Sequence, residues 1–157
     1  LMLLLGSDAV RFNRAFTQMR LPEICVRLSP LMDENMLLAT GSANTEELYS
    51  AAGFFESLAT EHSLDFQRRY VRRLGPNAPT ITSPGESCFE GMTLLARLAS
   101  AASTTDVGAI CRVAESVGYE GPRGRVRLRN SHLLQRIYVA KADGLEFDVL
   151  AEVNQGE

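Results

Sequence analysis

An α/β fold with a parallel sheet is predicted by three features near the start of the chain. Leu1-Met2-Leu3-Leu4-Leu5 is an unbroken apolar run; it stops at Gly6-Ser7-Asp8; and a helical repeat follows at once. Successive strand side chains point to opposite faces, so five apolar residues in a row suit a strand covered on both sides, the usual state of a parallel strand. Such a strand needs neighbours, so the chain is expected to be the carboxyl-terminal portion of a larger protein.

The elements follow in order. Phe12, Ala15, Phe16 and Met19 recur at helical spacing, with Arg11, Asn13, Arg14 and Gln18 on the other side, which predicts an amphipathic helix packed on the sheet. Pro22 ends it. Ile24-Cys25-Val26 with Leu28 predicts a second strand, and Asn35 to Ala39 a third, giving a β-α-β opening. Asn44 and Glu47 have capping-box spacing, so Leu48, Ala51, Phe55 and Leu58 are expected on one face of a helix reaching about Glu61. A further helix from Ser63 carries Phe66, Tyr70 and Leu74 and ends at Gly75-Pro76. The connector from Pro79 to Pro84 leads to a long helix over about 85–102, with Phe89, Met92, Leu95 and Leu98 on one side. A shorter helix, Val107 to Val117, is closed by Gly118.

The period then changes. Val126 and Leu128 alternate with arginines, Ile137 and Val139 continue the alternation, and Asp143-Gly144 separates them from Leu145, Phe147 and Val149. Asp-Gly between two alternating runs predicts a β-hairpin, because Gly adopts positive φ freely and Asp tolerates it. The fold class is therefore α/β with a parallel sheet, a helix-rich middle and a carboxyl-terminal β-hairpin.

The 157 residues fit one ordinary domain, and 45% hydrophobic with 22% charged residues is the composition of a soluble globular protein. A net charge of -3 gives no footprint for nucleic acid. Arg68-Arg69, Arg72-Arg73 and the series Arg123, Arg125, Arg127, Arg129 read as solvated faces. The opening apolar run is too short to span a bilayer and has no basic segment before it, so no membrane insertion is expected. Cys25, Cys88 and Cys111 are odd in number and set among apolar residues, which predicts reduced, buried thiols and a reducing compartment.

Catalytic constellations are thin. His62 and His132 are the only histidines, no cysteine stands at metal spacing to them, and no nucleophile elbow, phosphate loop or dinucleotide fingerprint occurs. No enzyme activity, cofactor or metal is predicted. Asp33-Glu34 and Glu46-Glu47 read as a loop and a helix start. Ligands of open α/β sheets collect beyond the carboxyl ends of parallel strands, where loop amides and helix amino termini converge. That places Gly6, Ser7 and Asp8 at a candidate ligand loop, with Thr40 in the equivalent place after the third strand. For Ser7 and Asp8 plain helix capping is the competing role, and for Thr40 a simple turn or interdomain crossover.

The order of segments resembles the second half of a type 1 periplasmic-binding-protein fold, a Rossmann-like architecture. The residues that carry the likeness are Leu5-Gly6-Ser7-Asp8-Ala9-Val10-Arg11-Phe12, Gly121 to Leu128, Asn130-Ser131-His132, Arg136 to Val139 and Asp143 to Val149. Within that family the pattern is most similar to the branch of amide, urea and branched-chain amino acid receptors, and there to the amide sensor that regulates aliphatic amidase expression and to urea-binding transport proteins. The resemblance implies two lobes with a small polar ligand between them. Residues 1–40 would belong to the second lobe, 41–120 would be a helical segment returning to the first, and 121–157 would hold the closing strands and hinge return. Ser7 falls where the family places a ligand-contacting hydroxyl. Two roles follow from the likeness: a cytoplasmic ligand-responsive sensor with a regulatory protein partner, or the solute-binding component of an ABC transporter, periplasmic or at the cell surface, with a permease partner. With one lobe mostly absent, these residues alone are expected to bind an amide, urea or amino acid poorly unless another chain, such as a second copy in a homodimer, completes the cleft.

Overall fold

In a computed structural model, residues 1–153 are described. The last four residues of the expected closing segment 121–157 lie outside them. The fold is mixed α/β with two sheets. One is four-stranded, in the order β1 (Arg27–Ser29), β2 (Leu48–Ala52), β6 (Ile137–Asp143), β7 (Glu146–Val153). The other holds β3 (Gly118–Gly121), β4 (Gly124–Arg129) and β5 (His132–Leu134) in sequence order. The helices are α1 (Gly6–Gln18), α2 (Glu34–Thr40), α3 (Glu61–Leu74), α4 (Ser83–Ala102) and α5 (Val107–Val113).

The β-α-β opening exists, but its pieces differ from those expected. Leu5 is extended and Met2 N donates to Leu28 O at 2.8 Å, yet Leu1 to Leu5 forms no strand of either sheet. Nor is it covered on both faces: Met2 is buried, while Leu1, Leu3 and Leu5 are 87%, 62% and 61% exposed. The expected strand at Ile24 to Val26 is a 3₁₀ turn and its exit, and β1 starts at Arg27. Its inward residues are Arg27 and Ser29, with Leu28 facing out. The Arg27 guanidinium is held by the side chain of Asn13 at 2.7 Å and lies 4.4 Å from the centre of the Phe16 ring. That anchor explains why α1 buries Ala9, Asn13 and Phe16 and turns Phe12, Ala15 and Met19 outward.

Asn35 to Ala39, expected as a strand, is helix α2. Asp33 caps it by accepting from Met36 N at 2.9 Å, which supplies a partner for one of the amide donors a helix start leaves open. The helix expected from Asn44 is instead β2. Glu47 takes a left-handed φ of 51° that interrupts helical winding, and Leu48 and Ser50 then point inward. β2 runs parallel to β1 and antiparallel to β6. Phe54 and Phe55 follow in the connector rather than on a helix face.

The middle helices agree better with expectation. Thr60 caps α3 by accepting from Ser63 N, Phe66 is buried, and Gly75 closes the helix at φ 90°. Leu74, expected inside, is 56% exposed. In α4 the buried residues are Glu86, Glu90 and Leu98, whereas Met92 and Leu95 are exposed. Gly118 opens β3 instead of closing a helix. In β4, Arg125, Arg127 and Arg129 face solvent, but Arg123, just before it, is buried. All three cysteines are unpaired, and all are exposed, contrary to the expectation of buried thiols. The hairpin forms at Asp143-Gly144, with Asp143 opposite Glu146 and Gly144 at φ 65°.

The core gathers Met32, Leu37 and Leu48 with Phe54, Phe55, Phe66, Tyr138 and Phe147. It joins the four-stranded sheet to α3. The chain leaves that sheet at Ala52 and re-enters it at Ile137, so everything between is one excursion.

Candidate functional site

Two successive connections bound one surface depression of about 760 Å³. The first is the start of α1, at Gly6 and Ser7, and the second is the start of α2, at Asp33, Asn35 and Met36. Gly6 allows the entry: φ of 54° after extended Leu5 is costly for any residue with a Cβ. No side chain caps α1 at Leu5, and Gly6 N contacts Met36 Sδ at 3.3 Å, which ties the two helix starts together.

Ser7 is exposed at the rim. Its hydroxyl accepts from Arg11 Nη2 at 3.2 Å, so one lone pair and the hydroxyl proton remain for a ligand. Asp8 does not line the depression; its carboxylate is 3.3 Å from Arg11, which does, both side chains being largely solvated. Thr40 is not in a loop. It is the last residue of α2, 1% exposed, with a buried hydroxyl that has no partner and a carbonyl that accepts from Arg14 and Asn44. At 1.5 Å of rise per residue it stands about 9 Å along α2 from Glu34.

Of the four residues expected from sequence, Gly6 and Ser7 meet in the depression, while Asp8 and Thr40 stay outside it. Asp33, Asn35 and Met36 join them instead, with Arg11 and Arg14 forming the α1 side. Asp33 carried a readable signal, an Asp three residues before an amide donor of a potential helix start, hidden because the apolar run after it was taken as a strand.

A second polar centre lies where the chain passes between the two sheets. Arg123, 3% exposed, contacts Glu86 and stands 2.8 Å from Glu90 through Nε, and its Nη2 donates to Ser87 Oγ at 2.6 Å. The Arg123–Glu90 contact is an ion pair set off hydrogen-bond geometry, since neither Nε nor the facing oxygen has a bonded partner. Its carbonyl accepts from the Tyr138 hydroxyl of β6 at 2.9 Å, and a Cβ on Gly53 would collide with its guanidinium. Burial, opposed by Arg123 and reinforced by the like charge of Glu86, pushes the Glu90 carboxyl up to about 8; burial raises Glu86 as well. One cation thus serves two buried acids. Among the described residues no group of three metal-ligating side chains is close enough to hold an ion, and no helix is long and apolar enough to cross a membrane.

Comparison with known proteins gives the same architecture. No curated protein matches the sequence. Among solved structures, the chain is similar to an ABC transporter substrate-binding protein from Sphaerobacter thermophilus (TM-score 0.82, 18% identity, 94% of this chain and 42% of that one). It is similar also to an amino acid ABC transporter substrate-binding protein from Pseudomonas fluorescens (TM-score 0.80, 15% identity, 99% and 43%). A third is a solute-binding protein from Rhodopseudomonas palustris in complex with p-hydroxybenzoic acid (TM-score 0.77, 17% identity, 97% and 44%). The chain therefore spans less than half the length of these proteins. Residues 1–146 match the family described as periplasmic binding protein, and the chain belongs to that family.

Proposed function

We propose that this chain forms one wall of a two-lobed receptor for a small polar ligand, an amide, urea or an amino acid, and is not an enzyme. The observation that carries the reading is the meeting of Gly6-Ser7 with Asp33, Asn35 and Met36 around one depression, the first group following a segment that bonds once to β1 and the second following β1 itself. A hydroxyl, a carboxylate and a carboxamide at one rim offer both donors and acceptors, which suits a ligand with an N–H group and a C=O group. The lobe assignment we favour puts the first crossover at Gly53 rather than near residue 41, because β2 completes the sheet begun by β1, and the return at Ile137. Lobe closure around the ligand would then move the Arg123 junction.

Two roles fit such a receptor. The three exposed, unpaired thiols favour a reducing compartment and hence a cytoplasmic sensor of the amide-responsive kind, acting on a regulatory protein. The likeness to transporter components favours delivery of a solute to a permease. Calorimetric titration of the full-length protein with acetamide, urea and leucine tests the shared part of the reading. One of them is expected to bind, and Ser7→Ala to weaken it about 3- to 10-fold, the worth of one hydrogen bond. Absence of heat with all three would remove the receptor reading.

A further inference from the structure

We propose that the exposed face of the three-stranded sheet docks an extended acidic segment of a partner protein along the arginine row of β4. Arg125, Arg127 and Arg129 alternate on the solvent side of that strand, so successive members of the row stand about 7 Å apart. The reverse side is closed. Val126 and Tyr119 are buried there, and the Tyr119 hydroxyl donates to Glu90 O of α4 at 3.1 Å.

The row is charged, unpaired and open at its flanks. Among the described residues none of its three guanidiniums takes part in an ion pair, whereas Arg11, Arg20, Arg69 and Arg136 each stand beside a carboxylate. The strand register sets the neighbours on that face: Glu120 beside Arg125, Gly118 and Leu134 beside Arg127, and His132 beside Arg129. Gly118 has no side chain to shield Arg127, and Glu120, the one acid in register, leaves Arg125 unpaired. At the far end of β4 the Glu115 carboxylate accepts from Asn130 N instead of meeting Arg129.

Such a row gains most from a partner whose charges repeat at its own interval. Every second side chain of an extended segment points the same way, so acids at alternate positions present carboxylates about 7 Å apart, each able to take a guanidinium through two hydrogen bonds. Acids on a helix face recur about 5–6 Å apart and fall out of step along the row. A nucleic acid meets Glu120 on the face itself and a chain of net charge -3 behind it. The row shares no residue with the depression of the proposed receptor cleft, so the docking face stands apart from that reading.

The probe is a fluorescent peptide of alternating Glu and Thr, titrated at low ionic strength into the full-length protein. Beside it run a peptide of the same composition with its glutamates in one block, and a DNA duplex. The alternating peptide is expected to bind at least about threefold more tightly than either, and Arg127→Gln to weaken it about two- to fivefold. The triple variant Arg125→Gln, Arg127→Gln, Arg129→Gln should lose measurable binding. All three side chains are exposed, so these variants are expected to keep the wild-type Tm. Arg72→Gln with Arg73→Gln, exposed on α3, should leave peptide binding unchanged. No binding of the alternating peptide, equal binding of the blocked peptide or of the duplex, or wild-type affinity in the triple variant would each overturn the proposal. So would a dimer of the full-length protein that Arg127→Gln dissolves, since it would place a second copy on the row.

Discussion

Arg123→Ala is expected to destabilise the protein by about 3–5 kcal/mol, because it leaves Glu86 and Glu90 buried with no cation between them. For a chain of this size that is a fall in Tm of very roughly 6–20 °C. The loss should also weaken the link to the four-stranded sheet, since the guanidinium packs on Gly53 where the chain leaves it. Arg123→Lys should recover only part of the stability, because a single ammonium cannot span both acids and Ser87 as the planar fork does. A Tm change under 2 °C for Arg123→Ala would show that the acids are held neutral without it.

The same cluster gives a pH dependence whose direction is fixed. Glu90 titrates at about 8 in the folded chain, against an ordinary value of 4.5, so the folded state holds a proton that the unfolded state has released between those limits. Stability contributed by that proton is full below the unfolded value and is lost as pH rises through the folded one. Glu34, raised by burial to about 7, acts in the same direction. Denaturation midpoints should therefore fall from pH 5 to pH 9, and Glu90→Gln should flatten the slope.

How far the fold was legible depended on whether local chemistry decided each element. The Asp143-Gly144 hairpin was readable because turn and alternation specify each other within a dozen residues. Helix α3 was readable because a capped start and Gly75 bracket one apolar stripe. Where tertiary partners decide, periodicity misled. Asn13 and Arg27 look solvated in sequence, yet they are buried against each other, and that pair sets the inner faces of α1 and β1. The run 35–39 is apolar enough for a strand, and only the Asp33 cap makes it a helix. The arginine series concealed its one buried member, because the two acids that pair with it lie 37 and 33 residues earlier in sequence. Of the candidate site, the turn at Gly6-Ser7 was visible, while its partners on α2 depended on an element assigned the wrong type.

Phe54→Ala is expected to be as damaging as Arg123→Ala, by about 3–5 kcal/mol. Phe54 is fully buried, and its ring meets Phe66 of α3 edge-on at 6.1 Å. The neighbouring Phe55, 1% exposed, points the other way, to Phe147 of β7 at 5.0 Å. The two adjacent rings thus fasten the connector to both units, Phe54 to the helical excursion and Phe55 to the four-stranded sheet. A cavity at Phe54 should loosen α3, and with it Phe89, whose ring stacks on Phe66 at 4.7 Å, before it loosens the sheet. Hydrogen exchange distinguishes this from general destabilisation. Amides of α3 and α4 should lose protection in Phe54→Ala while those of β2 and β6 keep it, and Phe55→Ala should reverse the pattern. Identical exchange maps for the two variants would mean that the connector serves one undivided core, and that the sheet and the excursion unfold as one cooperative unit.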